Sequence, residues 1–399
     1  MIGSVAIVGA GLAGATAARD LLAAGVTGPI TVIGAEPHHP YDRPPLSKEA
    51  LHRAISVDDH ALLSSEEVAG LRWRTDTRAI GITAVEAAYR IDLDDGAPVS
   101  ANSVVVATGA RARGLIGDHL AGVYTLRTLQ DASELRASLV TSRRVVVIGA
   151  GFIGAEVGAT AAALGASVTI VEASQAPGAS ALGPDVAQWT LDVHRAHGIT
   201  VLTGTAVSTL NPDGEGRVRS VTLADGTVLA ADTVVIGIGA RPETEWAASS
   251  GLAIDDGFVT DENCATSMPR VYAVGDCARV FDPLTGWHHR HEHWSAAVEH
   301  GRRAAAAILG STPPRRRAVY FWSDQHGHRI QVCGSVPAGQ APTVVTGALH
   351  TPLDTGSEYL AVYGDPDDPV AAIGVDAARG FTRIRKRMDA RLATSALAV

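Results

Sequence analysis

The chain has 399 residues, of which 46% are hydrophobic, 19% charged and only 5% aromatic, with 42 glycines and 19 prolines. That is apolar enough for two or three packed domains, and it excludes a disordered chain, a coiled coil or a disulfide miniprotein. A net charge of −9 argues against a broad nucleic-acid-binding surface or attachment to an anionic membrane, and no unbroken apolar run reaches the roughly 18 residues that a spanning helix needs.

The N-terminal run Met1-Ile2-Gly3-Ser4-Val5 lacks a basic region and leads directly into a glycine-rich turn, so a first strand is expected and not a signal peptide. Residues 5–8 form that strand, followed by Gly9-Ala10-Gly11-Leu12-Ala13-Gly14, an alanine-rich helical stretch and a second strand at 30–33 that ends before Glu36. This is the pattern of a dinucleotide-binding βαβ unit. Its first glycine permits the turn, the second lets backbone approach a pyrophosphate, and the third lets helix and strand pack closely. Next comes Tyr41-Asp42-Arg43-Pro44-Pro45-Leu46-Ser47-Lys48. Short strands follow, and residues 104–106 read as a parallel strand returning to the first sheet.

The whole unit then repeats. Residues 145–148 lead into Gly149-Ala150-Gly151-Phe152-Ile153-Gly154, and residues 168–171 precede Glu172. Each acid stands about 20 residues past its turn, where it can accept from a ribose diol and repel a 2′-phosphate, favouring NAD over NADP. Residues 233–239 are the counterpart of 104–109, and a third apolar strand at 271–274 ends in Gly275-Asp276 ahead of a helical pattern from about 293 to 309. Ser311-Thr312-Pro313-Pro314-Arg315-Arg316-Arg317 reads as a linker. Strand-like runs at 318–322, 329–333, 359–362 and 370–375 and a basic helix from about 381 to 392 make up a small α+β domain. Two dinucleotide sites in one chain suggest hydride passing between two cofactors, for which a flavin and a nicotinamide are the natural pair.

Two residue types stand out by their scarcity. Only Lys48 and Lys386 are lysines, so a chain that otherwise uses arginine has kept a compact ammonium at position 48, either for chemistry or on the surface by chance. Glu156 follows the third glycine of the second turn, where a carboxylate would oppose a pyrophosphate unless it pointed elsewhere. The alternative is a helix-dipole partner in the first turn, worth about 0.3–1 kcal/mol. Cys264, Cys277 and Cys333 are far apart and form no CxxC pair, which fits a reducing cytoplasm and leaves no zinc, iron-sulfur or dithiol framework. His288, His289, His291 and His293 lack helical ligand spacing, so no metal is expected there.

The string Tyr41 to Lys48 resembles the signature of NADH-dependent ferredoxin reductases that serve cytochrome P450s and Rieske-type oxygenases, the putidaredoxin reductase-like flavoproteins. The resemblance continues through Leu126-Arg127-Thr128, Tyr272-Ala273-Val274-Gly275-Asp276, Glu292-His293-Trp294 and Tyr320-Phe321-Trp322-Ser323-Asp324-Gln325. It implies an α/β, glutathione-reductase-like fold with two Rossmann-like domains. An FAD domain would occupy residues 1–112 and 241–314, an inserted NAD domain 113–240, and a C-terminal α+β domain covering the flavin 318–399.

By this resemblance Gly9, Gly11, Ala13 and Gly14 cradle the FAD pyrophosphate, Glu36 holds the adenosine ribose, and Arg43 and Arg127 neutralise phosphate or line the cofactor channel. Ala79 would touch adenine through its backbone, Asp276 would bind the ribityl hydroxyls, the backbone at Trp294 would face the flavin pyrimidine, and Trp322 would pack near the isoalloxazine. Gly149, Gly151, Ile153, Gly154, Glu172 and Gly239 would hold NADH. Relatives commonly carry arginines after the second acid, whereas this loop reads Ala173-Ser174-Gln175-Ala176-Pro177-Gly178-Ala179-Ser180, so weaker NADH binding and no preference for NADPH are expected.

Lys48 and Glu156 would pair near flavin N5. The implied enzyme passes electrons from NADH through FAD one at a time to an acidic [2Fe-2S] ferredoxin that serves a P450 or Rieske-type oxygenase in the cytoplasm. Arg315, Arg316 and Arg317, and Arg379, Arg383, Arg385, Lys386, Arg387 and Arg391, are candidate docking charges, or else a solvated linker and helix face. The alternatives are a rubredoxin reductase or NADH oxidase-like flavoprotein, and a flavin-binding interaction protein like apoptosis-inducing factor.

Overall fold

Strands with an apolar run and no alternation for solvent, such as Val5–Val8 and Ser103–Val106, are buried along their whole length, as parallel strands covered on both faces must be. The computed structural model describes residues 2–350 and 357–395. The chain divides into two units: Met1–Asp42, Ser56–Arg111 and Arg241–Arg316 form one, and Arg43–Ile55, Ala112–Ala240 and Arg317–Val399 the other.

In the first unit five strands lie in the order Val271–Ala273, Ser103–Val106, Val5–Val8, Ile30–Ile33, Arg72–Arg74, all parallel. The Leu12–Ala23 helix packs on this sheet and on the Trp294–Leu309 helix. Small side chains permit the close approach of the two helices: Ala13, Ala17, Ala304 and Ala305 share one buried cluster, and a Cβ on Gly301 would stand 2.5 Å from the Ala13 carbonyl oxygen. An antiparallel meander of Ala79–Val85, Ala88–Leu93 and Val99–Ala101 completes much of the rest.

The second unit repeats the parallel sheet in the order Thr200–Thr203, Ser167–Glu172, Arg144–Ile148, Thr233–Ile236, Val123–Tyr124. Here the Phe152–Ala163 helix follows the second glycine-rich turn. Beside it stands an antiparallel sheet ordered Tyr320–Gln325, His328–Gly334, Asp368–Val375, Tyr359–Asp365, Thr343–Thr346.

Both faces of that antiparallel sheet are covered. Alternation along Tyr359–Asp365 sends Leu360 and Val362 to the Ala378–Ser395 helix through Phe381, Ile384 and Met388. Tyr359, Ala361 and Tyr363 go to the Ala179–Ala196 helix through Leu182, Val186, Trp189 and Val193. That second helix has no continuous signal in the sequence because Gly183 and Pro184 interrupt it, and the chain kinks there at Gly183 with φ 69° and ψ 162°. The fold is therefore α/β, with two Rossmann-like sheets and a β-rich C-terminal region.

Candidate functional site

The three glycines of each turn differ in what surrounds them. A Cβ on Gly9, whose φ is 121°, would lie 2.0 Å from the Ala107 carbonyl oxygen, and one on Gly14 would lie 2.1 Å from that of Gly9. Gly149 and Gly154 repeat this, with approaches of 2.4 Å to the Gly237 oxygen and 2.1 Å to the Gly149 oxygen. The outer glycines are thus required by the protein's own backbone. The middle ones are not: a Cβ on Gly11 meets nothing within 4 Å, and on Gly151 only the Gly237 oxygen at 3.9 Å.

Gly11 and Gly151 also cap their helices with no side-chain hydrogen bond, and neither helix has an acidic residue in its first turn. Free N–H groups and open space at a helix N-terminus fit a pyrophosphate. The residues present therefore fit a dinucleotide pyrophosphate at each of the two turns.

Each acid is fixed at the end of its strand. Glu172 accepts from the backbone N–H of Ala150 and of Ser174, both at 2.8 Å, which sets its carboxylate against the second turn. Glu36 accepts from the Tyr41 hydroxyl. The N–H of Asp76 donates to the Glu36 carbonyl at 3.0 Å and that of Thr77 to Gly34 at 2.9 Å, so the segment entering Ala79 runs beside the first acid's loop. A Cβ on Gly275 would stand 2.9 Å from that of Ala13, which places Asp276 directly after a residue lying against the turn helix. Trp294 is the first residue of its helix, and its indole N–H donates to Asp42 at 2.9 Å. Burial pushes the neighbouring His291 down to about 4 and lowers His293, keeping both rings neutral at physiological pH. In the second unit, Ile153 lies in the turn helix, and Gly239, with φ 97°, faces open space.

Lys48 and Glu156 meet. Lys48 Nζ is 2.7 Å from Glu156 Oε2, and the glutamate is only 3% exposed. Its carboxylate also accepts from the Ser47 hydroxyl, from Ser323 Oγ at 2.7 Å and from the Asp324 backbone N–H at 3.2 Å. The dipole reading of Glu156 does not hold, because it is the fifth residue of the Phe152–Ala163 helix, past the first turn, and faces Lys48. Ser47, Ser323 and Asp324 had no assigned role in the sequence, although the strings Tyr41 to Lys48 and Tyr320 to Gln325 contain them.

Close by in the same unit, Arg43 donates to the Arg127 carbonyl, and the Arg127 N–H donates to Asp131 at 2.8 Å. Trp322 stacks on Tyr320 with ring centroids 5.7 Å apart. Arg43, Lys48, Arg127 and Trp322 thus belong to the second unit, while Gly9, Gly11, Ala13, Gly14, Glu36, Ala79, Asp276 and Trp294 belong to the first.

All three cysteines are buried and unpaired, and burial raises their thiols, Cys333 to about 12. None is poised as a thiolate. The basic clusters are partly used up internally. Arg316 pairs with Glu262 and with Asp282, each at 2.9 Å, so it is not an available docking charge. Arg385 lies over the Tyr320 ring and Arg391 pairs with Asp368 at 3.1 Å, whereas Arg379, Arg383 and Lys386 are exposed along the Ala378–Ser395 helix.

Comparison with known proteins identifies the family. The family model described as pyridine nucleotide-disulphide oxidoreductase matches residues 3–301, and one described as reductase C-terminal matches residues 320–399. The chain belongs to the pyridine nucleotide-disulphide oxidoreductase family. Within this family it is 38% identical to rhodocoxin reductase of Rhodococcus erythropolis, over 87% of this chain and 82% of the relative. It is 36% identical to the ferredoxin reductase component of the chlorobenzene dioxygenase of Cupriavidus sp. (strain PS12), over 98% of this chain and 93% of the relative. Among solved structures, the covalent putidaredoxin reductase-putidaredoxin complex matches with a TM-score of 0.89 and 32% identity, covering 98% of this chain and 93% of that one. Among the described residues no helix is long and apolar enough to cross a membrane.

Proposed function

We propose that this oxidoreductase is an FAD-dependent NADH:ferredoxin reductase that passes electrons one at a time to a [2Fe-2S] ferredoxin serving a P450 or Rieske-type oxygenase in the cytoplasm. One observation carries the reading: two turns built alike, each with an open middle glycine and its own acid, in a chain whose only thiols are buried and single. Bound FAD supplies the conversion of a two-electron donor into single-electron deliveries.

The chain's own part is to bind and orient. Gly9, Gly11, Ala13 and Gly14 admit one pyrophosphate, and Glu36, Ala79, Arg43, Arg127, Asp276, Trp294 and Trp322 fix the remainder of FAD. Gly149, Gly151, Ile153, Gly154, Glu172 and Gly239 hold the nicotinamide nucleotide, with Glu172 repelling a 2′-phosphate. Lys48, fixed by Glu156, brings a positive charge to the flavin side, where it stabilises negative charge on the reduced ring. We assign residues 1–112 and 241–314 to FAD, 113–240 to NADH and 318–399 to the C-terminal domain.

Anaerobic titration tests the reading. NADH should bleach the yellow protein at one equivalent, and NADPH should be at least about tenfold less effective, a difference of ~1.4 kcal/mol. Equal reduction by both nucleotides would contradict the role of Glu172, and no bleaching by either would contradict the enzyme itself.

The partner is an acidic ferredoxin, drawn to the exposed row of Arg379, Arg383 and Lys386. Reversing Arg383 and Lys386 to glutamate should raise the KM for ferredoxin about tenfold at low salt while leaving NADH-driven reduction of a small artificial acceptor unchanged. An unchanged KM would place docking elsewhere.

A further inference from the structure

The charge on Glu156 is shared by more than its immediate neighbours. Ser323 Oγ, which donates to Glu156 Oε1 at 2.7 Å, itself accepts from Gln325 Nε2 at 3.0 Å. The amide oxygen of Gln325 lies 3.1 Å from His194 Nε2, and His194 Nδ1 lies 2.9 Å from His326 Nε2. An amide oxygen can only accept, so His194 must carry its proton on Nε2. A neutral His194 then accepts at Nδ1, and His326 must donate from Nε2. Every hydrogen in this row therefore points the same way, toward the carboxylate of Glu156.

Burial, protonation, backbone strain and an adjoining cavity all bear on the row. Ser323, Gln325 and His194 are buried, at 1%, 5% and 2% exposure, so water does not replace these bonds. Burial pushes His194 down to about 4 and His326 to about 3, so both rings are neutral at physiological pH, as the donor order requires. His326 also sits at a backbone φ of 51°, ahead of Gly327 at 83°, in the turn between Tyr320–Gln325 and His328–Gly334. Hairpin turns with two positive φ values ordinarily take Asn, Asp or Gly at the first position. A histidine there holds a less favourable conformation while reaching His194, and the His197 ring stacks on it with centroids 4.0 Å apart. His194 and Gln325 also line a cavity of about 40 Å³ shared with Gly151 and Phe152 of the second turn.

We propose that Ser323, Gln325, His194 and His326 are positioning residues: a one-directional hydrogen-bond row that draws part of the negative charge of Glu156 away from Lys48. This rests on the reading of Lys48 and Glu156 as the flavin-side pair. The physical consequence is a competition. Donors on one oxygen of Glu156 weaken its hold on the ammonium bound to the other, so more of the positive charge of Lys48 remains to act on the flavin. Cutting the row hands Glu156 back to Lys48, and the reduced flavin loses stabilisation.

The test uses the holoprotein and reads the midpoint potential of the flavin. Ser323→Ala should lower it by the equivalent of a tenfold change in the reduction equilibrium, about 30 mV for a two-electron couple. Gln325→Leu should move it the same way by less, and Ser323→Thr should restore it. His328→Phe, which removes a ring bonded to Asp376 outside the row, should leave it unchanged. Lys48→Met is the reference. If it leaves the potential unchanged, the flavin-side pair itself is misread. If it lowers the potential while Ser323→Ala and Gln325→Leu leave it unchanged or raise it, the row is overturned alone. Independently of any variant's folding, ring nitrogen shifts in 15N-histidine-labelled wild-type protein should show His194 and His326 protonated on Nε2 at neutral pH, and a proton on Nδ1 of His194 would contradict the proposal.

Discussion

Gly11→Val should purify as a folded, colourless protein, and Gly151→Val as a folded, yellow one that NADH reduces at least about 100-fold more slowly at the same concentration, a difference of ~2.7 kcal/mol. The reason lies in the middle glycines. A Cβ on Gly11 meets nothing within 4 Å, so a side chain there enters space that the protein itself leaves open. Valine caps a helix less well than glycine, so the cost to the apoprotein should be about 1 kcal/mol. On the proposed reading the side chain would displace a pyrophosphate, and the cofactor's stabilisation of the fold would go with it. Melting of the variant should therefore lie slightly below that of wild-type apoprotein and well below that of the holoprotein. Gly14→Val differs in kind, since its Cβ would sit 2.1 Å from a backbone oxygen, and it should not accumulate as folded protein. A yellow Gly11→Val together with a colourless Gly151→Val would show that the two nucleotides have been assigned to the wrong turns.

Lys48→Met should carry the largest kinetic cost among the charged residues. A preorganised group removed from the place where charge develops typically costs 10²–10³ in rate, so NADH-driven reduction should fall by about 100-fold in stopped-flow absorbance. Stability should fall as well. The variant leaves a carboxylate that is 3% exposed without its ammonium. Breaking a buried pair from one side costs about 3–5 kcal/mol, reduced here to roughly 2–4 kcal/mol because three other donors remain. Glu156→Gln should cost less, since Lys48 is 23% exposed and can turn to water. The two variants therefore separate: Lys48→Met weakens both fold and rate, while Glu156→Gln changes chiefly the flavin's response. Normal reduction rates in both would remove the pair from the chemistry.

The parts most legible in the sequence were those set by neighbours along the chain. Gly9-Ala10-Gly11-Leu12-Ala13-Gly14 and its repeat announce a turn because the backbone there needs a positive φ and close approaches that only glycine allows. The apolar strands beside them announce a doubly covered sheet by their lack of alternation. The Ala179–Ala196 helix shows the limit of such reading, since Gly183 and Pro184 look like an end and become a kink only because the C-terminal sheet supplies a surface for Leu182, Val186 and Trp189. The basic run at 315–317 shows it again: charge density suggested docking, yet Glu262 and Asp282 fold back to claim Arg316.

By itself the sequence determined that there are two nucleotide turns, that each is followed by an acid, and that no two cysteines lie close together along the chain. Those features are local, encoded in residue type and spacing. The resemblance implied the pairing of Glu156 with Lys48, and only the tertiary structure showed that pair closing and brought Ser47, Ser323 and Asp324 to the same carboxylate. Its partners come from separations of 108 residues for Lys48 and 167 for Ser323, distances over which no periodicity reaches and which packing alone closes. A carboxylate inside a helix reads the same in sequence whether it meets water or an ammonium. The fold buries this one, and a buried charge must take its partners from whatever the packing brings alongside.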